Sequence, residues 1–289
     1  MSVGQGPDRY AVLGNPVAHS RSPFIHAEFA RQTAHAIRYG RVLCPMDGFE
    51  VAVRAFAASD EAGCGPARGC NVTIPFKFEA PRLAARVSAR AALAQAANVL
   101  RFDADGWSAD NTDGIGLVRD LQHNADFDLA GARVLLIGAG GAAAGVLGPL
   151  IEAGAREVVV ANRTAARARV LVESHRAAGP GVTLRATGLD ACGERFDLVI
   201  NSSASSVNGI AAPVAPSVLS PGCLAVDLMY GPSAGPFMAW AQQHGARARD
   251  GLGMLVEQAA EAFYIWRGVR PQTAPVLQAL RAHMAHGDA

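Results

Sequence analysis

The sequence predicts an α/β protein of two domains, and three observations carry that expectation. Short apolar runs alternate with helical patterns along the whole chain. A second strand-and-helix series begins at Ala132, where an apolar strand leads into a glycine-rich turn. At 289 residues the chain is long enough for two domains of ordinary size.

In order, Tyr10 to Leu13 reads as a strand, Pro23 to Thr33 as a helix with proline at its first position, and Arg38 to Leu43 as a second strand. The segment "GCNVTIPFK" holds a strand ending at Pro75. Residues 82–97 read as one alanine-rich helix, followed by Asn98 to Asp103 and the turn "DADGWSADNTDG". The second series runs strand "ARVLLIG", helix 142–153, strand "EVVVANR", helix 164–178 and strand "FDLVINS". A strand "CLAVDLMY" precedes a short helix near 236–244. Leu252 to Trp266 reads as a long helix closed by Gly268 and Pro271, and a last helix covers roughly 273–285. The domain boundary is expected near residues 114–130.

Composition narrows the function classes. Lys and Arg number 26 against 25 Asp and Glu, a net charge of +1, which gives no reason to expect nucleic acid or an anionic membrane as partner. The hydrophobic fraction is 50%, rich in alanine, yet no run reaches the roughly 18 apolar residues of a membrane span. The opening "MSVGQGPDRY" lacks the basic and apolar regions of a signal peptide. Cys44, Cys64, Cys70, Cys192 and Cys223 show no C-x-x-C spacing and the histidines no ligand spacing, so neither a disulfide framework nor a metal site is expected. A reduced cytoplasm fits best.

The segment "VLLIGAGGAAAG" places Gly138-x-Gly140-x-x-Ala143 between a buried strand and a helix. Gly138 permits the tight turn, Gly140 lets the backbone approach a pyrophosphate, and Ala143 allows helix and strand to pack closely. The helix N-terminus then offers free N–H groups and its positive dipole end to the anion. Pro149 inside that helix should kink it. The next strand ends "ANRT", with Arg163 at its tip, Arg167 one turn on and no carboxylate, which favours NADP over NAD. In the competing reading Asn162 and Thr164 only cap the helix and Arg163 is solvated.

Hydride transfer needs a proton donor beside the carbonyl being reduced. Lys77, just past a strand, could donate that proton, and Asp113 in "DNTDGIG" could orient the lysine. Taken singly, a strand-end lysine is more often solvated and an aspartate before a helix more often caps it. The turn "GNPVAHSRSPFIH" places Ser20 and Ser22 before a helix N-terminus, a ready anion site, although Ser22 could be only a cap.

The segments "GNPVAHSRSPFIH", "NVTIPFK", "AANVL", "DNTDGIG", "GAGGAAAG", "NRT", "DLMY" and "DGLGMLVEQAAEAF" resemble, in order and over almost the full length, those of the shikimate dehydrogenase family. The resemblance implies an N-terminal α/β substrate domain over 1–115, completed by helices of 252–289, and a Rossmann-like NADP-binding domain over 116–251. It implies NADPH-dependent, reversible reduction of 3-dehydroshikimate to shikimate, on the route to chorismate and the aromatic amino acids. The implied enzyme is cytoplasmic, a monomer or homodimer, with a small-molecule substrate and no nucleic-acid or membrane partner. Ser20 and Ser22 are implied to hold the substrate carboxylate, and Lys77 and Asp113 to form the catalytic pair. Thr73, Asn98, Tyr230 and Gln258 are implied substrate contacts, though Gln258 could be only a buried hydrogen-bonding residue. The implied cofactor positions are Gly138, Ala139, Gly140, Gly141, Ala142, Asn162, Arg163, Thr164 and Arg167, with Leu228 and Gly251 implied near the nicotinamide.

The chain departs from the family's pattern at Val99 and Gly235, where threonine is common, and in "NSSASSVNG", where Ser203 keeps a hydroxyl. None of these removes a residue assigned to chemistry. Two alternatives stand beside the main expectation. One is a quinate/shikimate dehydrogenase with broader substrate or NAD use; the other is a non-catalytic NADP- or metabolite-sensing homologue.

Overall fold

The computed structural model describes residues 6–179, 181–203 and 212–286. The chain divides into two compact units, one formed by Met1–Thr112 with Val256–Ala289 and the other by Asp113–Leu255.

The first unit holds β1 (Asp8–Gly14), α1 (Ser22–Thr33), β2 (Ile37–Leu43), α2 (Phe49–Ala58), β3 (Ala67–Val72), β4 (Arg86–Val87), α3 (Ala89–Ala94), β5 (Val99–Arg101) and β6 (Ser108–Asp110). They form a mixed six-stranded sheet in the order β2-β1-β3-β5-β6-β4. β1 lies parallel to β2 and β3, whereas β5 is antiparallel to both β3 and β6. Tyr10 to Leu13 are all buried, which is why this strand reads as a continuous apolar run. Below the sheet, Phe49 of α2 stacks on Phe76 at 4.8 Å and 8°.

Three expectations need correction here. The strand expected to end at Pro75 stops at Val72, and a 3-10 turn over Phe76–Phe78 follows. The expected helix over 82–97 is a 3-10 turn, a short strand and a six-residue helix. Arg86 and Val87 are drawn into the sheet by pairing with Ser108 and Ala109, and Ser88 starts α3 by accepting from the Ala91 N–H at 3.2 Å. Gln95 at φ 51° ends it. The segment read as one long turn contains β6, and α2 was not expected at all. Gly48 supplies no side-chain cap to mark the start of α2.

A buried histidine sits in an aromatic cluster of this unit. His26 of α1 is fully buried, stacked on Tyr39 at 4.3 Å and 7°, with Trp266 at 5.4 Å and the edge of Phe29 at 5.9 Å. Burial pushes its pKa down from 6.5 to about 3. Between those values the unfolded chain carries a proton that the folded chain refuses. The contribution is therefore fully present above pH 6.5 and is lost as pH falls towards 3. The wild type should lose stability relative to His26→Phe by roughly 1.4 kcal/mol per pH unit between about pH 6 and about pH 4, read from denaturant melts. Parallel curves for the two proteins would rule this out.

The second unit opens with α4 (Asp113–Arg119) and a π-type turn over Asp120–Asn124. β7 (Arg133–Ile137), α5 (Gly141–Glu152), β8 (Glu157–Ala161), α6 (Ala165–His175), β9 (Thr183–Thr187), β10 (Phe196–Asn201), β11 (Leu219–Asp227), α7 (Gly235–Gln243) and β12 (Arg247–Arg249) follow. The sheet is parallel throughout, in the order β12-β11-β10-β7-β8-β9. Numbered within the unit, that is the doubly wound 3-2-1-4-5-6 order, with its reversal between β7 and β10. The edge strands β9 and β12 were not anticipated. They are short and half-exposed, so neither shows an apolar run. The long helix α8 (Leu252–Arg267) spans the unit boundary, and α9 (Ala274–Ala285) belongs to the first unit. Among the described residues no helix is long and apolar enough to cross a membrane.

Candidate active site

The serine turn and the lysine turn leave the first sheet side by side. Thr73 donates its N–H to the Leu13 carbonyl at 2.9 Å, and Asn15 donates to the Ile74 carbonyl at 2.9 Å. Gly14 makes this possible, since a Cβ there would stand 2.2 Å from Thr73 Cγ2. Ser20 Oγ lies 3.2 Å from Ser22 Oγ and accepts the Ser22 N–H at 3.3 Å. Ser22 is buried and is already the first residue of α1; Arg21 occupies the cap position without a side-chain cap bond. The capping explanation for Ser22 is therefore excluded by its position.

Two residues of β2 reach this turn. Arg41 donates from Nε and Nη2 to the Ser20 carbonyl at 3.1 and 2.6 Å. The Tyr39 hydroxyl donates to Asn71 Oδ1 at 2.6 Å and is also hydrogen-bonded to Ser22. Burial raises the Tyr39 pKa well above its usual value, so the phenol stays protonated.

Asn71 in turn donates to the Asn98 carbonyl at 3.1 Å. The buried Asn98 amide donates to Thr112 Oγ1 at 2.9 Å and to Gln258 Oε1 at 3.1 Å, and its oxygen accepts the Thr112 N–H at 2.8 Å. The structure thus brings Asn98 and Gln258 together, though they are 160 positions apart. Sequence reasoning singled out neither Tyr39, Asn71 nor Thr112. The last two lie inside "NVTIPFK"-type and "DNTDGIG" segments and could have been found there; Tyr39 gives no signal in sequence.

Lys77 is half-buried on the turn that fully buried Phe76 anchors, and its carbonyl accepts the Ala97 N–H at 2.8 Å. Asp113 is buried at 4% exposure as the first residue of α4, next in sequence to Thr112. Lys77 belongs to the first unit and Asp113 to the second.

In the second unit, Gly138 ends β7 at φ 112°, and a Cβ there would meet Ser202 Oγ at 2.6 Å. Ser202 donates that hydroxyl to the Ile137 carbonyl at 2.7 Å, holding the β10 loop against the turn at the sheet's reversal. Gly140 occupies the cap of α5, and nothing lies within 4 Å of where its Cβ would be. The first-turn N–H groups around Gly141 and Ala142 therefore have an open approach, next to half-buried Ala139, while fully buried Ala143 keeps helix and strand close. Asn162 donates to the Thr164 carbonyl at 3.0 Å, and Thr164 makes no side-chain cap bond. Asn162 thus shapes this loop through the Thr164 carbonyl rather than by capping α6, and Arg163 and Arg167 stand exposed on it. A helix N-terminus with an open glycine and two arginines fits a dinucleotide bearing a 2′-phosphate.

Leu228 donates to the Asn201 carbonyl at 2.9 Å and Gly251 to the Met229 carbonyl at 2.8 Å. A Cβ on Gly251 would come 2.4 Å from the Leu228 oxygen, so these backbones touch. Tyr230 follows, partly exposed, before a 3-10 turn over Gly231–Ala234. Ser203 donates its hydroxyl to Asn201 Oδ1 at 2.7 Å; Ala204 to Gly209 of the same run lie outside the described residues.

Residues 12–100 match a family model described as the shikimate dehydrogenase substrate binding domain. Residues 120–228 match one described as shikimate / quinate 5-dehydrogenase, and 251–281 one described as the shikimate 5'-dehydrogenase C-terminal domain. The shikimate dehydrogenase (NADP(+)) of Methylibium petroleiphilum is 62% identical over 283 residues, covering 97% of this chain and 96% of its own. An Ael1 enzyme from Pseudomonas putida superposes with a TM-score of 0.83 at 42% identity, over 94% of this chain and 98% of that one. The shikimate 5-dehydrogenase of Thermus thermophilus in complex with NADP(H) and shikimate superposes at 0.78 with 28% identity, over 95% and 99%.

Proposed function

Because the chain belongs to the shikimate dehydrogenase family, we propose that it catalyses the NADP-dependent, reversible reduction of 3-dehydroshikimate to shikimate, with Lys77 and Asp113 as its catalytic pair. The observation that carries this reading is the identity of 62% with an NADP(+)-named relative over 97% of the chain, a length that takes in residues from both units.

When bound, NADPH supplies the hydride for the carbonyl carbon. Gly138 to Ala142 cradle its pyrophosphate, and Asn162, Arg163, Thr164 and Arg167 hold the adenosine ribose and its 2′-phosphate, with Leu228 and Gly251 beside the nicotinamide. Ser20 and Ser22 hold the substrate carboxylate. Thr73, Asn98, Tyr230 and Gln258 hold its hydroxyls, for which the Asn98–Gln258 network supplies donors and acceptors already fixed in place. Lys77 gives a proton to the carbonyl oxygen as the alcohol forms and takes it back in the reverse direction. Asp113 hydrogen-bonds the substrate and orients the lysine. The protein works in the cytoplasm as a monomer or homodimer without nucleic acid, in keeping with its free cysteines.

The test is an absorbance assay with shikimate or quinate, each offered NADP or NAD. Shikimate with NADP should exceed the other three combinations by more than about tenfold, since a site built for the 2′-phosphate and one ring loses affinity for the wrong partner. Comparable rates with quinate or NAD would move the protein to the broader class. Silence in all four from folded protein that binds NADP would refute the catalytic reading.

A further inference from the structure

The two serines at the start of α1 are neutral, although the group they are read to hold is a carboxylate. A positive charge reaches their turn from the edge strand β2. Arg41 donates through Nε and Nη2 to the Ser20 carbonyl at 3.1 and 2.6 Å, and its side chain is exposed. Tyr39 stands two positions earlier and so on the same face of the strand, where its hydroxyl is bonded to Ser22. One face of β2 thus holds both serines, Ser20 by its backbone and Ser22 by its hydroxyl.

We propose that Arg41 is a positioning residue for recognition of the substrate carboxylate. Its two bonds to one carbonyl fix the backbone of the serine turn, as a rigid planar fork does better than a flexible ammonium. Its charge supplies the attraction that two hydroxyls and a helix N-terminus provide only in part. The position of Arg41 is set by the sheet, since its backbone pairs with Val12 of β1. This inference rests on the reading of Ser20 and Ser22 as the carboxylate site, and it adds the charge of Arg41 to their two hydroxyls.

The experiment is steady-state kinetics of the full chain on shikimate and on its neutral methyl ester. Arg41→Gln should raise KM for shikimate about five- to tenfold, with kcat and the KM for NADP within about twofold, as expected for loss of one partly screened charge. The ester's KM should move less than about twofold, and the rise for the acid should shrink at high salt. Arg41→Lys should restore part of the affinity, because it keeps the charge and loses the fork. An equal rise for acid and ester would overturn the proposal, leaving Arg41 a clamp of the turn alone, and so would an unchanged KM. Ser22→Ala separates the two readings. If Ser22→Ala raises KM for shikimate and Arg41→Gln does not, only the arginine's role fails. Should Ser20→Ala and Ser22→Ala both leave KM unchanged, the carboxylate site itself is refuted.

Discussion

Lys77→Ala is expected to lower kcat for shikimate oxidation by about a thousandfold, within the roughly 10²–10⁴ that a positioned acid/base contributes, while KM changes less than about tenfold. The backbone supporting Lys77 does not depend on its side chain. Phe76 is fully buried against Phe49 and the Lys77 carbonyl accepts from Ala97, so the turn survives the truncation and the loss reads as chemistry rather than unfolding. Lys77→Arg should not rescue turnover, because a guanidinium keeps its proton at any working pH. A variant that retains kcat and only binds substrate more weakly would remove Lys77 from the acid/base role. A fully rescued arginine variant would do the same.

The largest effect on the scaffold is expected from Gly114→Ala. A Cβ on Gly114 would stand 2.3 Å from Pro149 Cγ and 2.4 Å from the Gly145 carbonyl oxygen. Both neighbours are stiff, one a ring and the other helix backbone, so α4 and α5 must separate. Pro149 has no N–H to give the Gly145 carbonyl, so α5 already carries a helix-backbone irregularity where the added Cβ would strike. Overpacking here should cost about 2–4 kcal/mol and lower Tm by roughly 5–10 °C. Asp113 precedes Gly114, so kcat should fall as well at temperatures where the variant is still folded. A melting curve within about 1 °C of wild type would show that the two helices have slack at this crossing.

Much of the second unit was legible because its signals are local. The strand before Gly138, the Gly-x-Gly-x-x-Ala turn and the helix after it are contiguous, and strand burial on both faces gives the unbroken apolar runs of β7, β8 and β10. Local signals failed where a distant partner decides the conformation. Alanine-rich residues 82–97 have every propensity for a helix, yet Arg86 and Val87 are extended because Ser108 and Ala109 are there to pair with them. The same holds for the site. Ser20, Ser22, Lys77 and Asp113 are picked out by the resemblance of their segments to those of a known family, since a lone strand-end lysine or pre-helix aspartate says little by itself. Tyr39 and Arg41 reach the serine turn from β2, and Asn71 of β3 holds Tyr39 and the Asn98 carbonyl. Nothing in a strand's own alternation says which turn its side chains will touch.

The first unit is built from both ends of the chain. Gln258 must meet Asn98, Trp266 must donate to the Leu100 carbonyl at 3.0 Å, and Arg267 must pair with Asp8 before that unit is whole. The second unit, Asp113–Leu255, is continuous in sequence. During synthesis the usual order, in which the N-terminal domain finishes first, is therefore inverted. The nucleotide-binding unit can close while the chain is still growing, whereas the substrate unit lacks Gln258, one of the two side chains that the Asn98 amide bonds, until α8 has been made. A substrate unit complete with its Asn98–Gln258 pair is consequently later than the nucleotide-binding unit, although its sequence begins first.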